Sequence, residues 1–539
     1  MSQKSHVIVP ERVETAGSPV TESPPFRRRA QDARNPLSPT KQPQVIVIGA
    51  GIGGLSAALD LARRGIRVSV FEHAPRPGGK MREIDIQGQR IDSGPTVFTM
   101  PWVFESLFAD AGSRLEAHLG IRPAELLARH FWRDGSQLDL FADMEQSVAA
   151  IAAFAGEAEA RRYRAFCQRA QAVFNTLDES FMRSQRPSPW SLVATTGLRG
   201  LLDLWRIQPF QSLWRRLGHY FHDHRLRSLF ARYATYCGAS PLQAPATLML
   251  IAHVEQVGVW QVEGGMQRLA EALADVLQEK GGSIHYDAAV ADIEMRDGRA
   301  VGVRLDNGDH HRADAVIANA DAAAIGQGLL GPAAAAAVPR PNPSRRSLSA
   351  LTWSLLAETS GPQLAHHNVF FPDDYPAEFV DIFRHGRLPE NPAVYVCAQD
   401  RGGRDMPAGE PERLFLITNA PASGDRESFD AERIARQQAA AFGLMQACGL
   451  KLETRPEHSV VTTPADFERR FPGTGGALYG GAPHGWRASF SRPGARSRIR
   501  GLYLAGGSVH PGAGVPMVAL SGRLAASALA ADLGLDRPR

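Results

Sequence analysis

The sequence predicts an α/β fold in which a discontinuous, Rossmann-like dinucleotide-binding domain is interrupted by an inserted mixed-sheet and helical domain that faces substrate and membrane. Three observations predict it. A strand, glycine loop, helix and second strand follow one another at 44–72; α/β sequence returns at 262–322 after a long insertion; and a strand running into a glycine- and proline-rich turn comes near the end, at 501–516.

The opening unit reads "QVIVIGAGIGGLSAALDLARRGIRVSVFEHA". Val45 to Ile48 form an apolar run suited to a buried parallel strand, and Gly49, Gly51 and Gly54 follow in GxGxxG spacing, with Gly53 beside them. The glycines permit a tight turn and let a pyrophosphate approach the backbone, its charge resting on the helix N-terminus. Leu55, Ala58, Leu59 and Ala62 mark the inward helix face. Val68 to Phe71 make the second strand, and Glu72 at its end is placed to accept hydrogen bonds from a ribose. This unit alone does not separate FAD from NAD.

The first 43 residues carry seven prolines among polar side chains and lack an apolar stretch, so 1–43 is expected to be a disordered tail. Of the 539 residues, 44% are hydrophobic and 22% charged, as in soluble globular proteins; a net charge of +4 gives no footprint for nucleic acid. Cys167, Cys237, Cys397 and Cys448 are scattered, without a CxxC pair or a histidine set nearby in sequence, which predicts no metal and a reducing, cytoplasmic setting. No run of 18 apolar residues occurs, so any membrane contact is expected to be peripheral.

Along the chain, "LLARHFWRDGSQLDLFAD" reads as a strand pair followed by mostly helical sequence to 261. A helix over Met266 to Glu279 then leads to strands at Ser283 to Tyr286, Ala289 to Arg296 and Ala300 to Leu305, with Asp297-Gly298 and Asn307-Gly308 as hairpin turns, and to an apolar strand over Ala315 to Ala318. Residues 344 to about 495 alternate strand-like runs with a helix over Ala431 to Cys448. The expected division is a cofactor domain built from 44–95, 262–322 and 496–534, and a substrate domain built from 96–261 and 323–495.

Between Arg183 and Arg216, six arginines face one acid, Asp203, and are interleaved with Trp190, Trp205, Phe210, Trp214 and several leucines. The pattern over 183–217 suits a helix lying in a membrane interface, and it suits equally a helix packed on the protein's own core. Pro209 divides it into at least two segments.

"RPGGKMRE" (76–83), with Gly79 and Lys80, and "DSGPTVF" from Asp92 resemble the flavin amine-oxidase-like superfamily. "HHNVFFPDDYPAEFVDIF" (366–383), "FPGTGGALYGGAPHGW" (471–486) and "GLYLAGGSVHPGAGVPMVALSGRLAASAL" (501–529) narrow the likeness to bacterial carotenoid desaturases. With "FARYATYCGASP" (230–241), they look most similar to the 1-hydroxycarotenoid 3,4-desaturases of purple bacteria; the tail alone departs from that pattern. The resemblance implies FAD as cofactor, a hydrophobic carotenoid substrate, and a peripheral place on the cytoplasmic side of the inner or photosynthetic membrane. By the same resemblance, Gly49, Gly51, Gly53, Gly54, Glu72, Gly79, Lys80 and Val290 hold FAD from one side. Gly506, Gly507, Pro516, Met517 and Val518 form a ring-side cradle, with Pro516 in the first turn of the last helix.

Such chemistry is carried by the cofactor, which fits the absence from the sequence of a Ser/His/Asp set, an HExxH motif or paired carboxylates. His510 and Asp92 are the ionisable candidates near the ring, although Asp92 also suits capping a turn. The rival readings are a phytoene desaturase, a carotene isomerase, an amine or protoporphyrinogen oxidase, and a lipid-escort protein of the same fold.

Overall fold

A run of valine and isoleucine with no polar side chain is stable only where both faces of a strand are covered, and Gln44–Ile48 lies at the centre of a five-stranded parallel sheet. The computed structural model describes residues 42–185, 210–402 and 410–535. The sheet runs in the order Leu502–Leu504, Ala315–Ala318, Gln44–Ile48, Arg67–Phe71, Ser283–His285, so its strands come from three separated parts of the chain. Of the expected tail, only Gln42 and Pro43 fall within the described residues.

Helix Ile52–Ala62 is buried all round, beyond the single inward face expected of it. The last helix, Val515–Asp532, crosses it closely enough that a Cβ on Gly522 would stand 2.1 Å from the carbonyl oxygen of Gly53. Glycine at 522 is therefore a packing requirement that brings the first and last parts of the chain together. Helix Gln267–Glu279 packs beside them, and the antiparallel strands Val290–Arg296, Arg299–Leu305 and His310–Arg312 turn at the two dipeptides expected.

The second sheet has eight strands and is mixed. The hairpin Leu126–Trp132 and Gln137–Phe141 joins His367–Phe371 by a parallel pairing, and the sheet continues through Val394–Ala398, Glu412–Ala420 and Ser349–Ser360 in antiparallel pairs. Lys451–Glu453 and Ser459–Thr462 both pair with Ser349–Ser360. Helices Met144–Ala155, Glu157–Leu177, Leu213–Tyr220, His224–Ala231 and Leu250–Val257 build a second core with this sheet. One further hairpin, Glu83–Ile86 with Gln89–Asp92, lies beyond the expected elements.

Of the basic aromatic segment, 186–209 lies outside the described residues. In the rest, Leu213 and Leu217 are fully buried in the second core, where each contributes about 1.5–3 kcal/mol. For these two leucines the interfacial reading is corrected: they serve the protein's own packing. Arg183 pairs with Asp178 at 2.9 Å and lies 4.5 Å over the Trp102 ring. No helix among the described residues is long and apolar enough to cross a membrane.

Candidate functional site

One cavity of about 1240 Å³ reaches from the glycine loop to the face of the large sheet. Gly49, Gly51, Glu72, Gly79, Lys80, Val290, Gly506, Gly507, Pro516, Met517 and Val518 all line it. Of the residues expected to hold the cofactor, only Gly53 and Gly54 do not. Gly54 is packed so tightly that a Cβ would meet the Gly49 carbonyl at 2.0 Å, and Gly53 would meet Asn319 Oδ1 at 2.7 Å. They serve the close helix–strand and helix–turn contacts rather than direct contact with a ligand in this cavity.

The first glycine turn closes on itself. Gly49, at φ +92°, donates its N–H to Phe71 O at 2.8 Å, and Gly78 donates to Ala50 O at 2.9 Å. Helix Ile52–Ala62 has no side-chain cap at Gly51, which leaves its N-terminal N–H groups open toward the cavity. Buried Glu72 accepts from Ala50 N at 2.6 Å and Ala74 N at 2.9 Å, bracing the loop besides facing the cavity. Burial alone would raise its carboxyl, but hydrogen bonds from His73, Ala74 and Ala50 outweigh that and hold it below the usual range. Lys80 Nζ donates to Leu478 O at 2.7 Å, and burial lowers the ammonium against the pull of Asp321.

The second glycine turn carries a sharper test of fit. Gly507 has no positive φ, and an added Cβ would find no protein atom closer than 3.6 Å. Neither backbone strain nor protein packing calls for glycine there, whereas the cavity it faces does if a flat ring lies against the backbone. Pro516 stands in the first turn of the last helix, whose N-cap Gly514 makes no side-chain cap. The residues present therefore fit a dinucleotide with a planar ring.

Two residues that sequence reasoning missed join the turns. Asn319 follows the strand Ala315–Ala318 and lies against Gly49, Gly51, Gly53, Gly54 and Gly506, donating Nδ2 to Gly49 O at 3.3 Å. Arg492 donates to Gly507 O at 2.6 Å, Tyr479 O at 3.1 Å and Gly481 O at 3.1 Å. "ANAD" at the end of an apolar strand was the available signal for the first; Arg492 sits in an irregular stretch with none.

Neither His510 nor Asp92 lines the cavity, which corrects their candidacy as ring-side groups. His510 is buried edge-on against the Phe181 ring and donates Nε2–H to Phe181 O at 2.9 Å, and burial pushes its imidazole down to about 4. Asp92 accepts from Met266 N at 2.7 Å and Gln267 N at 3.4 Å, bracing the start of helix Gln267–Glu279, and burial pushes its carboxyl up to about 6.

Folding also brings Cys397 to the adjacent pair His366 and His367, with ligand atoms within 4.8 Å of one another. His366 Nδ1 meets Arg401 O at 3.0 Å and His367 Nδ1 meets the Tyr395 hydroxyl at 2.7 Å, while burial pushes the Cys397 thiol up. His367 and Cys397 face each other across neighbouring strands of the large sheet, and the group is hydrogen-bonded.

The model of the family described as flavin containing amine oxidoreductase matches residues 52–530. The chain is 51% identical to hydroxyneurosporene desaturase of Rubrivivax gelatinosus, over 92% of this chain and 94% of that protein. It is 30% identical to 1-hydroxycarotenoid 3,4-desaturase of a Flavobacterium species, over 90% of this chain and 98% of that protein. Among solved structures, an oxidoreductase from Methanosarcina mazei shares the fold with a TM-score of 0.57 at 19% identity, covering 89% of this chain and 98% of that one.

Proposed function

The chain belongs to the flavin-containing amine oxidoreductase family, and from that premise we propose that it introduces the 3,4 double bond into acyclic 1-hydroxylated carotenoids such as 1-hydroxyneurosporene. FAD, when bound, supplies the acceptor for a hydride from the substrate. The observation that carries the reading is one continuous cavity, larger than the roughly 300–1,000 Å³ of a site for a drug-sized molecule, which joins two glycine turns to a mostly apolar wall.

In this reading the glycine turn at 49–54, with Glu72, Gly79, Lys80 and Val290, holds the dinucleotide, and Gly506, Gly507, Pro516, Met517 and Val518 lie beside its ring. Leu177, Leu248, Ile251, Val254, Val369 and Phe415 exclude water and orient a hydrocarbon chain by shape. Phe210, 68% exposed and also on the cavity wall, marks where the cavity reaches the surface, with the Trp486 ring 5.4 Å away. A water-insoluble substrate has to arrive from a bilayer, and the arginine and aromatic composition of the sequence over 183–217, Leu213 and Leu217 apart, supports peripheral membrane contact on the cytoplasmic face. The divisions at 95/96, 261/262, 322/323 and 495/496 belong to the same proposal.

The test is product analysis with the flavin-loaded protein in liposomes carrying 1-hydroxyneurosporene or phytoene. The reading expects a product with one more double bond, at C-3,4, from the hydroxylated substrate only. A protein without flavin absorbance, or one that converts phytoene and leaves the hydroxylated compound unchanged, contradicts it.

A further inference from the structure

Beyond the glycine turns, the mostly apolar cavity wall is broken by a polar cluster. Thr96, Arg232, Tyr236, Glu255, Tyr375 and Tyr395 all face the cavity there. The Arg232 guanidinium lies 5.3 Å from the Tyr236 ring centroid and 5.1 Å from that of Tyr395. Among the described residues it has no carboxylate within 4 Å, and its one side-chain hydrogen bond runs to the Tyr236 hydroxyl at 3.4 Å. A guanidinium carries five N–H donors, and donors turned toward an apolar space call for an acceptor.

The surroundings say what kind of acceptor fits. Both oxygens of Glu255 are engaged, one by the Tyr233 hydroxyl at 2.8 Å and the other by the Tyr236 hydroxyl. One cation and one carboxylate, joined through Tyr236, balance each other, so the cluster suits a neutral acceptor better than a second anion. The Tyr395 hydroxyl, 2.6 Å from Thr96 Oγ1 and 2.7 Å from His367 Nδ1, offers an oxygen to a ligand that can also donate. An alcohol is a neutral group that both accepts and donates in this way.

The cluster's position matters as much as its chemistry. Arg232 and Tyr236 lie on the short helix Arg232–Cys237, which packs on Tyr479: a Cβ on the following Gly238 would stand 2.5 Å from that ring. Arg492 ties the Tyr479 carbonyl to that of Gly507. On the other side, Thr96 is two residues from Gly94, whose Cβ would meet the Lys80 carbonyl oxygen at 2.1 Å. A short chain of contacts thus links the cluster to the second glycine turn through Tyr479 and Arg492, and to Lys80, beside the first, through Gly94. In a 1-hydroxylated acyclic carotenoid the hydroxyl is only two carbons from the nearer carbon of the 3,4 bond, so whatever reads it has to stand beside the reacting position.

We propose that Arg232, with Tyr236 and Tyr395, forms the subsite that binds the tertiary hydroxyl of the substrate and so fixes which bond lies against the cofactor. This inference rests on the proposed function. The hydroxylated end enters first and the hydrocarbon trails toward Phe210 and Trp486. Glu255 acts through Tyr236 as a positioning residue.

The test titrates the flavin-loaded full chain with 1-hydroxyneurosporene and with neurosporene, the same skeleton without the hydroxyl. The wild type binds the alcohol about 10–100-fold more tightly. Arg232→Met brings the two affinities together by weakening the alcohol alone, leaving neurosporene binding and flavin content as in the wild type. Tyr395→Phe reduces the preference by a smaller factor and carries the test if Arg232→Met does not fold. A preference unchanged in both variants overturns the subsite while leaving the desaturase reading intact. Arg232-dependent binding of a long-chain fatty carboxylate in preference to the alcohol also overturns it. A wild type that binds neither carotenoid contradicts the parent reading and the subsite together.

Discussion

Arg492 donates a 2.6 Å hydrogen bond to the carbonyl of Gly507, and the same guanidinium holds the carbonyls of Tyr479 and Gly481. A single side chain thereby fixes the second glycine turn against the loop that supports the polar cluster. Arg492→Met leaves three carbonyls without their donor and is expected to cost about 2–4 kcal/mol of stability. Flavin affinity falls with it. Chemical denaturation with and without added FAD checks both effects.

Gly507→Val separates ligand contact from folding. The added side chain starts from a Cβ with no protein atom closer than 3.6 Å and from an unstrained backbone, so the apoprotein should unfold near the wild-type temperature. Flavin content should nevertheless fall more than about tenfold, because the side chain occupies space the ring needs. Gly522→Val is the contrast: it clashes with the Gly53 carbonyl, and the protein itself should lose stability. Flavin-to-protein ratios and apoprotein melting curves distinguish the two.

His510→Gln is expected to retain turnover within about tenfold, since a general acid or base contributes roughly 10²–10⁴-fold and His510, bonded to the Phe181 carbonyl, does not line the cavity. The pH–rate profile should keep its wild-type shape. Loss of more than about a hundredfold with normal flavin content would return His510 to the chemistry.

Asp92 gives a pH signature. Burial pushes its carboxyl up from an ordinary 3.8 to about 6, so between those values the folded state holds a proton that the unfolded chain releases. Its contribution to stability is full below about 3.8 and declines as pH rises to about 6, by up to about 3 kcal/mol. Asp92→Asn keeps one acceptor for the Met266 N–H and removes that decline. The difference between wild-type and variant unfolding free energies over this pH range measures it.

What the sequence disclosed, and what it hid, follows from the range of each interaction. The strand Ala315–Ala318 and the turns at Asp297-Gly298 and Asn307-Gly308 depend on neighbours a few residues away, and they were legible. So was Glu72 as a cavity residue, from the glycine spacing between two strands, while Lys80 and Gly507 came with the family resemblance. Asn319 and Arg492 were not, since their partners lie hundreds of residues off in the first case and in irregular backbone in the second. The short hairpin Glu83–Asp92 does carry a local signal, the alternation of Glu83-Ile84-Asp85-Ile86 before Gln87-Gly88, but at only four residues long and beside the glycine pair at 78–79 it is too short to stand out. In the basic aromatic stretch, amphipathic spacing could not say whether Leu213 and Leu217 meet lipid or protein; only the fold, by burying them, does.

Whether this protein desaturates 1-hydroxylated carotenoids is measured most directly by an anaerobic single turnover of the flavin-loaded protein with 1-hydroxyneurosporene in liposomes, following the visible flavin absorbance and the product together. The expected result is loss of the flavin band with formation of one equivalent of product carrying a new C-3,4 double bond. An unchanged flavin band, or bleaching with phytoene but not with the hydroxylated substrate, would contradict it.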